Sequence, residues 1–329
     1  MKNNLHVFLG ATVADAAARP LHWVYNQKKL NSYIKGKKDF TFLKKNKSPF
    51  YNIKTGKVSG YNEIGQVMFQ TLLENYEDIE KEFKKNILKN FGPGSKYWKN
   101  LNLRSKYKKV KDWRGMIKGP WIHQNIIETV NNIKSNKKIS GGVKVNESDG
   151  FCAALPYFLY GYDFKSLEKI IRIVTASKIS LKYALAKFYI IDLALKGAKD
   201  PVHEFIKRFK KNTSFKVIVN DIKKIKRLNS KFHPIIIKKL GMACSYPGTF
   251  NSSIYTIINS RNYKEAILKK EARDRARKYQ TGKMCLSIWF PTEILKDYKQ
   301  AANDREISLP WLVRKLLRDY FEGKIDLKV

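Results

Sequence analysis

The sequence predicts a mainly α protein with a small β-α-α module at its C-terminal end. Through most of residues 1–268, apolar residues recur three or four positions apart, which is the spacing of one buried helix face. Short turns join these stretches, with almost no strand pattern among them. By contrast, residues 284–290 alternate between two faces with the period of a β-strand. We therefore expect a helical domain at 1–268, a charged linker at 269–282 and a β-α-α module at 283–329.

Length and composition fit a soluble chain with a large core. The 329 residues can form one large domain with a small one beside it, and 43% of them are hydrophobic. The three cysteines, Cys152, Cys244 and Cys285, are far apart and form neither a disulfide framework nor a zinc-ligand pattern. This cysteine usage fits a reducing cytoplasm. No apolar run approaches the length of about 18 residues that a membrane span needs.

The charge balance is strongly basic. Lys and Arg number 66 against 28 Asp and Glu, for a formal net charge of +38. A surface of this sign attracts nucleic acid and other polyanions without specific contacts. A coding bias toward A and T would explain the preference for Lys over Arg, but not the scarcity of acids.

The first predicted helix covers residues 5–18 and ends before Pro20. Its small residues allow another backbone to approach closely, and Asp15 stands among them. This carboxylate must be paired or border a cavity if it is buried, or else it points to solvent. Residues 28–57 are polar and Lys-rich and predict irregular structure, and residues 60–66 predict a loop that enters a helix at 67–76.

Residues 92–122 interleave aromatic and basic side chains. Such a segment can stack nucleic-acid bases while it neutralises phosphates. Its rings can equally pack on the protein body while the lysines stay in water. We favour packing, since tryptophans bury large apolar areas.

Residues 146–156 run from a polar turn through a glycine into small residues. This order predicts an anion cradle at Ser148, Asp149 and Gly150, because the first turn of a helix exposes unpaired N–H groups. A plain helix N-cap is the alternative. Further amphipathic helices are predicted at 126–133, 167–174, 181–195, 202–209 and 251–259.

Four segments resemble the ADP-ribosylglycohydrolase family, and their sequences are most similar to its J1 crystallin branch. These segments are residues 10–23, 113–125, 146–156 and 241–250. The resemblance implies an all-helical fold. In active members it also implies hydrolysis of glycosidic bonds to ADP-ribose with two magnesium ions.

The chain departs from the family pattern at the magnesium-binding positions. Where active relatives carry Thr-Asp-Asp, this chain has Asn62, Glu63 and Ile64. Active relatives usually have an acid seven residues after the position of Asp15, and this chain has His22 there. A charged stretch at 269–278 stands where active relatives have the last aspartates of the metal site. We therefore expect no metal ligands and no firm cofactor, although active relatives use magnesium.

These observations predict a ligand-binding or inactive hydrolase homologue. Its ligand would be ADP-ribose-like or another nucleotide, held near Asp15 and at Ser148, Asp149 and Gly150. One alternative is an active glycosidic hydrolase in which Asp15 or Glu63 is the base and His22 the acid or orienting group. Another is a DNA-binding regulator whose function lies in the C-terminal module.

The C-terminal module resembles the ribbon-helix-helix family of DNA-binding dimers. Its order is a strand, a helix and a second helix capped by Ser308. One strand is not stable alone, so two chains would pair theirs, which predicts a homodimer. The resemblance places nucleic-acid contacts at Lys283, Cys285, Ser287, Trp289 and Ser308. A helical hairpin, a dimerisation tail or a junction of two unrelated reading frames are the alternatives.

Overall fold

The computed structural model of the chain describes residues 5–34, 43, 45–48, 54, 56–107, 119–228, 234–241 and 244–260. These residues are mainly helical and contain no β-strand, which confirms the predicted α class. A parallel bridge joins Gly142 to Thr175. The predicted linker at 269–282 and the predicted β-α-α module at 283–329 lie outside the described residues.

The helices of the first half are α1 (Leu5–Ala18), α2 (Gln27–Ile34), α3 (Gly60–Leu73), α4 (Ile79–Phe91), α5 (Lys96–Tyr107) and α6 (Gln124–Lys134). Those of the second half are α7 (Asp149–Leu159), α8 (Phe164–Val174), α9 (Lys178–Leu195), α10 (Pro201–Phe209), α11 (Lys216–Arg227), α12 (Pro234–Leu240) and α13 (Gly248–Ile258). Helix α1 has the predicted bounds, and α6, α8, α9, α10 and α13 confirm the predicted helices within a few residues. None of the described helices is both long enough and apolar enough to cross a bilayer.

Helix extends into two segments that were predicted to be irregular. Helix α2 covers the first residues of the segment 28–57, up to Ile34, and α3 begins at Gly60 rather than at residue 67. Ser59 has extended backbone angles, and its carbonyl accepts the first bonds of α3, from the N–H groups of Asn62 and Glu63. The Asp15 carboxylate binds Ser59 and so positions the start of α3. The glycines in this stretch predicted a loop, because local composition carries no information about this tertiary contact.

The first core lies between α3, α7 and α8, with α4 and α6 beside them. Its largest fully buried side chains include Phe83, Phe91, Met68 and Ile64. Helices α3 and α7 pack most closely where Gly65 faces the α7 backbone: a Cβ atom at this glycine would lie 2.7 Å from the Cys152 carbonyl oxygen. The glycine therefore sets how closely the two helices approach.

Helix α9 connects the first core to a second one. Its residues Leu181, Ala184 and Phe188 belong to the first core, whereas Tyr183 and Ile190 belong to the second. The second core is completed by α10, α11, α12 and α13. Because opposite faces of α9 are buried in different cores, its sequence is apolar around most of its circumference.

The aromatic and basic segment at 92–122 contains α5. The Tyr97 ring is 1% exposed and packs on Phe91 with ring centres 4.7 Å apart. Trp98 also packs against the first core. These contacts favour packing over base stacking for the described part of the segment.

We expect the substitution Gly65→Ala to destabilise the protein by about 1–3 kcal/mol, the usual cost of overpacking a close helix contact. The added methyl group would meet backbone atoms of α7, which cannot move aside like a flexible side chain. Urea denaturation measures the change in the free energy of unfolding. The control is Gln70→Ala at an exposed position of the same helix, where the change should stay within about 0.5 kcal/mol. Equal effects of the two substitutions would contradict the packing argument.

Candidate functional site

A cavity of about 190 Å³ lies where the first turn of α3, helix α5 and the segments that precede α6, α7 and α13 meet. Its lining combines aromatic rings, charged groups and one thiol: Trp23, Tyr61, Arg104, Trp121, Ile122, His123, Gln124, Glu147 and Cys244. Small-molecule sites usually have this mixture of apolar walls and a few convergent polar groups.

Arg104 is fixed on the cavity wall by two contacts. Its guanidinium carbon lies 3.4 Å from the centre of the Trp121 ring, and its Nη1 donates to the Ile122 carbonyl at 3.0 Å. Burial lowers the pKa of Arg104 to about 10, so the guanidinium stays charged at neutral pH. The wall therefore carries a positive charge whose position is set by a ring and a carbonyl.

Trp23 and Trp121 form the aromatic side of the cavity. Their ring centres lie 6.1 Å apart in an edge-on arrangement. Trp23 has a left-handed backbone with φ of 62°, a conformation that costs energy for a bulky residue. This backbone follows the 3₁₀ turn Arg19–Leu21 and directs the chain toward α2.

A buried carboxylate lies behind the cavity. Asp149 is fully buried, its Oδ1 lies 2.8 Å from His123 Nδ1, and its Oδ2 accepts from Asn125 Nδ2 at 3.0 Å. Asp149 is the first residue of α7, where the helix dipole favours a negative charge. An Nδ1–H bond to this carboxylate would fix the orientation and tautomer of the imidazole.

Glu147 and Tyr61 form the second polar pair. The Tyr61 hydroxyl donates to Glu147 Oε2 at 3.0 Å, and its ring centre lies 3.7 Å from that of His123. Burial raises the pKa of the Glu147 carboxyl and Asp149 raises it further, while His123 and the Tyr61 hydrogen bond oppose the shift. Burial, with Cys244 next, raises the pKa of Tyr61 well above its ordinary value. The tyrosine therefore stays protonated and remains a donor.

Asp15 is paired with the start of α3. Its Oδ2 accepts from the Ser59 backbone N–H and its Oδ1 from the Ser59 hydroxyl, both at 2.6 Å. Ser59 is fully buried. The carboxylate thus positions the residue from which α3 begins and links α1 to α3.

The other two predicted catalytic residues contact different partners. The His22 ring lies edge-on to Trp23 with ring centres 5.8 Å apart. Glu63 forms an ion pair with Lys96 at 3.3 Å. These contacts do not by themselves form an acid–base set. The catalytic role of Asp15, His22 and Glu63 therefore remains a prediction.

The predicted anion cradle has an acidic first helical residue. Ser148 Oγ accepts from Lys187 Nζ at 3.3 Å. A Cβ atom at Gly150 would lie 2.6 Å from Thr175 Cγ2, so this glycine permits close packing of α7 on the end of α8. Asp149 turns its carboxylate toward His123 and Asn125. Ligand binding at these residues stays a prediction, and Lys283, Cys285, Ser287, Trp289 and Ser308 lie outside the described residues.

The residues at the positions where the family that this chain resembles has its magnesium loop do not fit a pair of magnesium ions. Asn62 is buried, its Nδ2 donates to Thr12 Oγ1 at 3.1 Å, and its Oδ1 accepts from Gln66 at 2.9 Å. Ile64 is 0% exposed and has no ligand atom. Magnesium requires near-octahedral oxygen ligation, and this loop offers one carboxylate, already paired with a lysine.

Sequence reasoning missed four of the residues that form the cavity: Tyr61, Arg104, His123 and Glu147. His123 and Glu147 lie inside segments that resemble the family, and this resemblance was the signal in the sequence that could have identified them as site residues. Their chemistry depends on Asp149, which is 26 residues from His123 in the chain and meets it only through tertiary packing.

We expect Asp15→Asn to destabilise the protein by about 1–3 kcal/mol, because an amide carbonyl replaces two carboxylate acceptors and one Ser59 donor loses its charged partner. Thermal and urea unfolding measure the loss. Asp163→Asn is the matched control, since Asp163 caps α8 at an exposed position and its substitution should cost less than about 1 kcal/mol. An Asp15→Asn protein as stable as the wild type would show that the Ser59 contact does not hold the start of α3.

No protein-family model matches the chain. Among curated proteins, the chain is 24% identical to crystallin J1A of Tripedalia cystophora over 263 residues, which cover 79% of this chain and 78% of the crystallin. It is also 24% identical to crystallin J1B of the same organism over 265 residues, with the same coverage of both proteins. The chain therefore shows a distant similarity to J1 crystallins, the branch that its motifs resemble.

Proposed function

We propose that the chain is an ADP-ribosylglycohydrolase-like protein that no longer carries out magnesium-dependent hydrolysis and that binds a small ADP-ribose-like or other nucleotide ligand. The observation that carries this proposal is the identity and burial of the residues at the positions where active relatives bind magnesium. Asn62 stands at the threonine position of the magnesium loop and Ile64 at its second aspartate position, and both side chains make buried contacts within the fold. The similarity to J1 crystallins supports the family part of the proposal.

Loss of the magnesium ligands removes the means of activating water. A metal ion generates a hydroxide nucleophile only if the protein holds it with enough ligands and keeps a position open. At this loop only Glu63 has a carboxylate, and Lys96 neutralises it. The family reaction would therefore lack its nucleophile at the expected place.

The cavity is the binding site that the geometry favours. Its volume of about 190 Å³ suits a single sugar or base ring, and Trp23, Tyr61 and Trp121 offer faces and edges for such a ring. The charged Arg104 on the wall and the net charge of +38 favour a ligand with phosphates. Glu147 and Gln124 supply hydrogen-bonding groups that would orient the ring.

The test combines turnover and binding with the full-length protein. We expect no release of ADP-ribose from ADP-ribosylated arginine, ADP-ribosylated serine or poly-ADP-ribose, with or without magnesium. We expect the melting temperature to rise as ADP-ribose is titrated, because a ligand that binds only the folded state stabilises it. Magnesium-dependent turnover would refute the loss of activity, and an unchanged melting temperature at millimolar ADP-ribose would refute the binding.

A cavity variant locates the binding. Trp121→Ala should abolish the shift produced by ADP-ribose, since it removes an aromatic wall and the support of Arg104. Tyr76→Ala, at an exposed ring outside the cavity lining, should leave the shift unchanged. Loss of the shift in both variants, or in neither, would place the ligand elsewhere.

The C-terminal module contains a predicted strand in which Leu286, Ile288 and Phe290 alternate with Cys285, Ser287 and Trp289. We propose, separately, that this strand pairs with its copy in a second chain and makes the protein a homodimer. The charge of the dimer would attract DNA. Binding that is uniform among sequences at fixed salt would be due to charge alone, whereas a preference for one sequence would support a regulator.

We expect the wild-type chain to sediment as a dimer and the Ile288→Lys variant as a monomer, because the lysine would enter the apolar face of the ribbon. Ser287→Lys is the matched control, with the same new charge on the opposite face, and it should remain dimeric. Analytical ultracentrifugation measures the mass of each. A monomeric wild type would refute the pairing.

A further inference from the structure

His123, Glu147 and Asp149 converge at the back of the cavity. One ligand atom from each lies within 4.8 Å of the other two. The three residues come from the segment before α6, the segment before α7 and the first position of α7. The set of atoms is one imidazole nitrogen and two carboxylate oxygens, which is a ligand set for a divalent ion.

The two carboxylates lie close enough together to share one cation. Asp149 is fully buried and Glu147 is half-buried, and two negative charges so close together repel each other strongly where water is excluded. A cation held by both carboxylates would remove this conflict more completely than a proton on one of them.

Each carboxylate is also oriented from its outer side. Asn125 donates to Asp149 Oδ2 at 3.0 Å, and Tyr61 donates to Glu147 Oε2 at 3.0 Å. These bonds leave Asp149 Oδ1, beside His123 Nδ1, and Glu147 Oε1 as the atoms for an ion. Outer hydrogen bonds of this kind fix the ligands of metal sites and tune their affinity.

We propose that His123, Glu147 and Asp149 bind one divalent transition-metal ion, with Zn²⁺ as the ion that the ligand set fits best. An imidazole nitrogen favours zinc and its neighbours over magnesium and calcium, which prefer oxygen ligands only. Three protein ligands leave a fourth position for water or a ligand, and that position faces the cavity that His123 and Glu147 line.

Binding requires the three ligand atoms, which lie within 4.8 Å of one another, to adjust around the ion. With zinc–ligand distances of about 2.0–2.1 Å, two ligands of a tetrahedral ion lie roughly 3.3 Å apart. His123 Nδ1 and Asp149 Oδ1 lie 2.8 Å apart, so these two atoms would separate by about half an ångström as the ion enters between them. The imidazole that binds the ion through Nδ1 is neutral and carries its proton on Nε2, and a proton goes to solvent only if the ring starts as an imidazolium.

This site is distinct from the family's magnesium loop, which contains Asn62, Glu63 and Ile64. It goes beyond the proposed function and does not depend on it, because zinc binding is measured without ADP-ribose. A chain that binds ADP-ribose but no zinc would overturn the metal site alone, and the converse would overturn the nucleotide site alone.

The experiment titrates the full-length, chelator-treated protein with Zn²⁺, and separately with Mg²⁺, by isothermal calorimetry, and counts bound metal by mass spectrometry. We expect one tightly bound zinc ion per chain and no comparable binding of magnesium. Glu147→Gln should weaken zinc binding at least about tenfold, the lower limit of what even outer-shell changes cost. The glutamine keeps an oxygen that can accept from Tyr61, so the local fold is preserved.

Glu128→Gln is the matched control, since Glu128 is a partly buried acid on α6 that accepts from Gln124 at 3.0 Å and lies outside the metal-ligand cluster. Equal zinc affinity in the wild type and in Glu147→Gln would overturn the proposal, as would tighter binding of magnesium than of zinc. Circular dichroism and the melting temperature check the fold of each variant.

Cobalt substitution tests the site in the wild type even if Glu147→Gln fails to fold. We expect the d–d bands of a low-coordinate cobalt ion with nitrogen and oxygen ligands. An intense charge-transfer band from a cobalt–thiolate bond would assign the ion to a cysteine site, such as one that contains Cys244, and would overturn this ligand set. Spectra typical of hexa-aqua cobalt would overturn it as well.

Discussion

The buried carboxylate of Asp149 is the interaction on which the site depends. Removing an ionised group from water costs several kcal/mol, which only specific partners can offset. Asp149 has three such partners, namely the His123 ring, the Asn125 amide and the N-terminus of α7. These bonds tie α6 to α7 and orient His123, whose ring in turn contacts Tyr61. The orientation of the polar side of the cavity therefore follows from one residue that does not line it.

Much of the fold could be predicted from the sequence because most helices bury one apolar face. Helices α1, α8, α9 and α10 follow from spacing alone, since their bounds agree with the periodic pattern. The start of α3 could not be predicted this way. Its first turn contains Gly60 and polar residues, and it is helical because Asp15, 44 residues earlier, accepts both polar hydrogens of Ser59. Local propensity carries no signal of such a long-range bond.

The site was less predictable than the fold, for a related reason. The motifs predicted site residues at Asp15 and at residues 62–64, because the family resemblance is defined by motifs at these positions. In the structure Asp15 pairs with Ser59 and Glu63 with Lys96, while the polar groups that meet at the cavity come from four separate segments. Asp149 was predicted as part of an anion cradle, yet its carboxylate contacts a histidine and an amide donor. A helix N-terminus attracts an acid of its own chain as readily as it attracts a ligand.

Helix α3 contributes side chains to both the first core and the cavity. Tyr61 lies at the start of the helix, where its hydroxyl reaches Glu147, whereas Ile64, about one turn further on, is buried in the first core. A carboxylate in place of Ile64 would lie among apolar side chains with no partner, at a cost that the core could not offset. The packing that stabilises α3 at Ile64 thus leaves no place for a carboxylate at this position. What α3 supplies to the cavity is Tyr61, a hydroxyl that burial keeps protonated and that positions an acid on another segment.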